Sequence, residues 1–170
     1  MALPIPINQL KERVTQEGLI SPDDFDVLVA ESQRNNQNIV DLLVSRGVAS
    51  EEYLFHFIAS FLGVEMARLS SRGIDEGVLN LLSEDIARSR QTILFAREPD
   101  GTIDAAMADP SDLEAMEYLS QRLKAKVRPF LATRDDLTRG FAIYGLARTT
   151  NFKKIIEENI QESLRSQTKT

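Results

Sequence analysis

Gly18-Leu19-Ile20-Ser21-Pro22-Asp23-Asp24-Phe25 and Gly47-Val48-Ala49-Ser50-Glu51-Glu52-Tyr53-Leu54 are two copies of one pattern, 29 residues apart. The offset holds on both sides of the glycine. Before it, Leu10 falls on Ile39 and Val14 on Leu43; after it, Leu28 falls on Phe57, Val29 on Ile58 and Ala30 on Ala59. Apolar residues at helical spacing (Ile7, Leu10, Val14; then Ile39, Leu42, Leu43) lead into a glycine that can take the left-handed conformation ending a helix. An apolar plug follows, and then Ser21 or Ser50 at the N-cap of the next helix. Pro22 suits a first helical position, and the acidic residues of both first turns are favoured by the helix dipole. The second helices are expected to bury Phe25, Leu28 and Val29 in one copy and Leu54, Phe57, Ile58 and Phe61 in the other. Residues 6–62 therefore read as two helix–turn–helix units packed into a four-helix subdomain.

Beyond Gly63-Val64 the pattern changes. A short extended piece carries Met66 and Leu69, residues 74–82 read as a helix, and a shorter helix or turn falls at 85–88. TILFAR, Thr92–Arg97, reads as a strand, Pro99-Asp100-Gly101 as a tight turn, and 102–108 as the returning strand. Ser111 or Asp109 would cap a helix with Leu113, Met116, Tyr118, Leu119 and Leu123 as its buried candidates. A third strand at 127–132 precedes a helix at 134–144, capped by Thr133, with Leu137, Phe141 and Tyr144 turned inward. The order β-β-α-β-α gives a small three-stranded sheet with helices packed on it, an α+β fold. Residues 151–163 form a separate amphipathic helix with Phe152, Ile155, Ile156 and Ile160 on one side, and with Lys153–Glu157 and Lys154–Glu158 as i,i+4 pairs. Past Leu164 the chain is polar and ends without a cap, as a chain cut within a linker would. The expected division is 1–62 helical, 63–145 α+β, and 146–170 a linker helix.

The composition is that of a globular protein: 170 residues, 42% hydrophobic and 27% charged, enough for a core of its own. With no cysteine, disulfides and thiolate metal sites are excluded. The apolar opening, residues 1–7, is short and lacks the basic flank of a signal peptide. The longest apolar stretch, 53–64, contains His56 and falls short of the ~20 residues that a membrane span needs. The net charge of -6 argues against nucleic acid, because Lys124, Lys126, Arg128, Lys153 and Lys154 form only short basic spots among carboxylates.

Catalytic patterns are missing. No Gly is followed by Lys, so there is no P-loop, and neither G-x-S-x-G nor G-x-G-x-x-G occurs. One His and no Cys leave no nucleophile–base system and no usual zinc site. His56 reads as a half-buried helix residue. The carboxylates Asp109, Asp112 and Glu114 read as a helix start before a magnesium site, and the pairs Asp23-Asp24, Glu51-Glu52 and Asp135-Asp136 read the same way. No catalytic residue, metal or cofactor is expected.

The tandem helical units, followed by GVEMARL and then by AAMADPSDLEAMEYL, resemble the amino-terminal domain of type II secretion and type IV pilus assembly ATPases. The similarity runs over about residues 9–145, and the tail resembles the linker leading to the ATPase core. The resemblance implies a non-catalytic adaptor docking the motor to the cytoplasmic domain of an inner-membrane platform protein, with the ATPase core in cis. It implies a cytoplasmic location, peripheral to the inner membrane through protein partners, with no membrane insertion and no nucleic acid. One branch of the family binds cyclic di-GMP through tandem motifs resembling R-L-G-x-x-L-V-x-x-G, each continuing to a Gln. On those motifs this chain has Gln9 and Lys11, then Asn38 and Val40, where Arg and Gly are wanted, and Ser32 and Phe61 at the Gln positions. Leu10, Gly18, Leu19, Ile39, Leu43, Val44 and Gly47 survive, all of which the helical scaffold needs. The motif positions Gln9, Leu10, Gly18, Asn38, Ile39, Leu43 and Gly47 are thus a degenerate site. A cyclic-di-GMP sensor, or a free-standing regulator of the same fold, are the alternatives.

Overall fold

The structure is a computed structural model and describes residues 3–167, so the opening apolar segment and the polar end lie partly outside the described residues. Four helices come first: α1 (Ile7–Gln16), α2 (Pro22–Arg34), α3 (Ile39–Ser45) and α4 (Glu51–Leu62). The two halves of the repeat close with the same geometry. Gly18 and Gly47 take φ of +70° and +71°. Leu19 N–H bonds Val14 O at 3.0 Å, and Val48 N–H bonds Leu43 O at 3.0 Å, so each helix ends in a Schellman turn. Ser21 and Ser50 then accept from the N–H of Asp24 and Tyr53, each at 3.1 Å, and start the next helices as expected.

The copies differ in which face they bury. On α2 the buried residues are Phe25, Leu28 and Ser32, whereas on α4 they are Leu54, Phe55, Ile58 and Ala59. Phe61, expected inside, is 46% exposed, Phe57 is half-buried, and Phe55 takes the interior place. The cause is that α4 packs on the other helices and also on the sheet, which widens and rotates its apolar stripe. Ile7 and Val29 likewise lie at or near the surface.

From Gly63, in the left-handed conformation, the chain leaves α4 as β1 (Glu65–Met66). It continues through α5 (Leu69–Arg72), α6 (Glu76–Leu79), α7 (Glu84–Arg90), β2 (Thr92–Arg97), β3 (Ile103–Met107), α8 (Leu113–Leu123), β4 (Val127–Leu131) and α9 (Arg134–Gln167). The α+β class and the β-β-α-β-α order are as the sequence predicts. The sheet has a fourth strand, in the order β1-β4-β3-β2, because the extended piece after α4 pairs parallel with the free edge of β4. The extended piece ends at Met66, Leu69 opening α5 instead, and the helix expected at 74–82 is shortened to α6. Gly73, at φ +77°, ends α5, and Asp75 starts α6 by accepting from the N–H of Gly77 at 2.9 Å. Asp112, rather than Ser111 or Asp109, caps α8. Leu113 is 81% exposed, since it lies well round the helix from the buried stripe of Ala115 and Leu119. The two helices expected at 134–144 and 151–163 are one continuous α9, which runs through Gly145 with no proline between them.

The buried residues form two clusters. One lies among α1 to α4; the other lies around the sheet with α6, α7, α8 and the first turns of α9. Strand β4 and the residue after it serve both: Phe130 and Ala132 belong to the sheet cluster, and Leu131 between them belongs to the helical one. The first part of α9 is held by Leu137, by Tyr144, whose hydroxyl donates toward the carbonyls of Leu79 (2.9 Å) and Leu82 (2.7 Å), and by Arg148 on Glu84 (2.9 Å). From Thr149 to Ser166 every residue is exposed.

Candidate functional site

The seven degenerate-motif positions divide by role. Leu10, Ile39 and Leu43 are core residues of the helical half. Gly18 and Gly47 have open space where a Cβ would project, so backbone conformation rather than crowding selects glycine there. Asn38 caps α3, its Oδ1 accepting from the N–H of Val40 at 2.8 Å. Gln9 is half-buried on α1. The positions where a nucleotide base would need bare backbone carry side chains with other duties. Lys11 Nζ lies 2.8 and 3.0 Å from the two carboxylate oxygens of Asp26, tying α1 to α2, and Val40 is buried. Ser32 is buried and donates to Val29 O at 2.7 Å, while Phe61 faces solvent. The cavity beside Asn38, lined also by Leu3, Val40, Phe55, Ala108 and Arg134, measures about 20 Å³, room for about one water.

The other polar concentration sits on the sheet. Asp104 is opposite Arg128, and Glu65 opposite Phe130, so by strand alternation these four share a face. Glu65 accepts from Arg72 (2.9 Å) and from Arg128 (3.2 Å), and Arg128 also reaches Glu98 (3.0 Å). Both guanidinium groups stand over the Phe130 ring, at 4.6 and 4.9 Å from its centroid. The hydrogen bond from Arg72, and then the charge of Arg128, hold the Glu65 carboxyl below the usual carboxylate range. Arg128, a member of the basic spot read from the sequence, is thereby engaged by carboxylates.

Beneath this network Asp104 is buried, and its Oδ1 has no hydrogen-bond partner. Burial, and then the neighbouring Glu98 carboxyl, push Asp104 up to about 6. This group was not picked out from the sequence; its only signal is one Asp inside the apolar run TIDAAMA. An acid whose pKa is raised by folding stabilises the fold fully below its unfolded value, near 4, and loses that contribution as pH rises through about 6. Asp104→Asn removes the titration. Its stability advantage over the parent is therefore expected to grow by about 2 kcal/mol between pH 4 and pH 7.5. Urea midpoints at four pH values measure this, and parallel curves for the two proteins would refute it.

The remaining polar groups behave structurally. His56, exposed rather than half-buried, has Nε2 2.8 Å from Arg68 Nη2. Arginine only donates, so this ring nitrogen accepts. Asp109 accepts from Ser111 N–H at 2.9 Å and Asp112 from Ala115 N–H at 3.0 Å, as a helix start requires. Among the described residues no group of three His, Asp or Glu could hold a metal ion, and no helix is long and apolar enough to cross a membrane.

The family model of the MshEN domain matches residues 62–149, just over half of the chain. This chain belongs to the MshEN domain family. Among solved structures, that of MshE with cdg is 29% identical, has a TM-score of 0.65, and covers 79% of this chain and 97% of its own. The N-terminal domain of XpsE shares the fold at 18% identity and a TM-score of 0.56, covering 84% of this chain and 97% of its own. No curated protein matches the chain. This MshEN chain is thus an N-terminal domain of the type II secretion and type IV pilus assembly ATPase kind, the part of those ATPases that is non-catalytic.

Proposed function

We propose that this MshEN chain is an adaptor that docks a secretion or pilus assembly ATPase, carried in cis, to the cytoplasmic domain of an inner-membrane platform protein. It works in the cytoplasm, at the membrane through that partner alone. In this reading residues 1–62 and 63–145 form the adaptor body, and 146–170 the linker helix toward the motor. The observation that carries the proposal is the split fate of the repeat. The turns of Gly18 and Gly47 are intact, while Lys11 and Val40 fill the places where a ligand would need bare backbone. A scaffold kept without its phosphate partners suits protein docking. Docking raises the local concentration of the motor at its platform without any chemistry in the adaptor. Co-purification of the full-length protein with the platform's cytoplasmic domain tests it; retention that survives deletion of residues 1–145 would sink the proposal.

A second reading, cyclic-di-GMP sensing, is favoured by one observation, the similarity to the structure of MshE with cdg. The engaged Lys11, the capping Asn38 and the buried Val40 argue against it. Calorimetric titration of the chain with cyclic di-GMP is expected to show no binding. A dissociation constant near micromolar, about -8 kcal/mol, would establish the sensor instead.

A further inference from the structure

The basic spot that the sequence places at Lys124, Lys126 and Arg128 divides in the structure. Arg128 is taken by Glu65 and Glu98, and Arg72, Arg88 and Arg148 are likewise held by carboxylates. Lys124 and Lys126 are exposed and form no ion pair among the described residues, and the same holds for Arg97. These three side chains line one depression of about 510 Å³. Its walls are the end of β2, the turn between β2 and β3, and the link between α8 and β4. Backbone bonds fix that frame: Glu98 N–H to Thr102 O at 2.8 Å, Gly101 N–H to Glu98 O at 2.9 Å, and Ile103 N–H to Lys126 O at 2.9 Å. One carboxylate, Asp100, lines the depression with the three cations, and its Oδ1 already accepts from Thr102 N–H at 2.9 Å. A cation at the end of α8 offsets the helix dipole, which accounts for Lys124. Arg97 and Lys126 lie on other elements, and three like charges around one hollow repel one another until an anion enters.

We propose that this depression binds the phosphate group of a small soluble phosphomonoester. Three cations against one carboxylate leave a surplus that matches the charge of about -1.5 to -2 on such a group near pH 7. A carboxylate or a phosphodiester brings only one. The hollow is larger than a phosphate and of the size that takes a small ligand, and Leu123 and Ala125 offer the organic part an apolar wall. A lipid headgroup can carry the same chemistry, but a recess suits a free ligand better than a flat bilayer face. The inference does not depend on the docking partner or on the degenerate motifs, because these residues belong neither to α1–α4 nor to α9.

The test is a titration of the isotope-labelled full chain with AMP at low ionic strength, followed by backbone amide shifts. Shifts are expected at Gly101, Thr102 and residues 124–126. Cyclic AMP, a phosphodiester, should bind more weakly, and adenosine not at all. Arg97→Gln combined with Lys126→Gln should weaken AMP binding about tenfold at an unchanged melting temperature. Lys153→Gln combined with Lys154→Gln, which removes two exposed charges from α9, should leave it unchanged. Vesicles of phosphatidylcholine and phosphatidic acid present the same group on a bilayer and should not retain the protein. No amide shift with AMP, equal affinity for AMP and cyclic AMP, an equal loss in the Lys153 and Lys154 variant, or retention by the vesicles would each overturn the proposal.

Discussion

Gly140→Val is expected to cost about 3 kcal/mol of stability, seen as a fall in melting temperature of about 6–12 °C for a chain of this size. Gly140 is buried in the first part of α9, where the helix passes over β2. A Cβ placed there would stand 2.4 Å from both Cδ1 and Cγ1 of Ile93 and 2.8 Å from its Cγ2. Ile93 is fully buried and β-branched, so it has one preferred rotamer and no empty space to turn into. Either the helix lifts from the strand or the isoleucine leaves its well. Helix propensity acts the other way, by about 1 kcal/mol at most for Ala over Gly, and less for Val. The expected order of stability is therefore parent, then Gly140→Ala, then Gly140→Val. A Gly140→Ala variant more stable than the parent would show that the helix and strand are not in contact here.

Asp136→Ala is expected to be comparably severe, about 3 kcal/mol, for a different reason. Asp136 is buried at the start of α9, and its two oxygens serve different elements. Oδ1 accepts from Leu69 N–H at 2.9 Å, and Oδ2 from Thr133 N–H at 3.0 Å. Thr133 Oγ1 returns the favour by accepting from Asp136 N–H at 3.1 Å, which makes a reciprocal cap with a third strand of contact running to α5. Alanine would leave the buried Leu69 N–H and the half-buried Thr133 N–H without an acceptor. Asparagine retains one acceptor oxygen and should cost less, and Thr133→Ala, which removes only the cap, about 1 kcal/mol. Chemical denaturation ranks the three. Hydrogen exchange adds a site-specific reading: the Leu69 amide should lose protection in Asp136→Ala and keep it in Thr133→Ala. Equal protection in both would mean that the carboxylate does not hold α5.

What could be read from the sequence was whatever is local. The Schellman turns at Gly18 and Gly47, the serine caps, the strand TILFAR and the Thr133 cap all depend on residues within one turn of each other, and all stand in the structure. What escaped depends on distant neighbours. Phe55 rather than Phe61 is inside because α4 meets a sheet whose strands lie far along the chain. The strand β1 is two residues long, too short for any alternation to show, and exists because β4 offers an edge. Periodicity overreached at Leu113, where an apolar residue in the first turn falls off the buried stripe. For the candidate site, Gln9, Lys11, Asn38 and Val40 standing where the resembled motif has Arg and Gly was visible as letters. The contact of Lys11 with Asp26 needed coordinates, as did the unpartnered Asp104 Oδ1 beneath Arg128.

A strand end at which Phe130 and the following Ala132 enter one core and Leu131 the other makes a poor hinge. Bending the helical half against the sheet would require Leu131 to leave a site where it is fully buried, while its two neighbours stay in theirs. Tension applied at α1 to α4 by a docked partner would therefore pass across the β4 hydrogen bonds, loading many at once, and arrive at α9 undiminished. Past Arg148 the same helix runs on with its side chains exposed, and the body ahead of it acts as a rigid coupling.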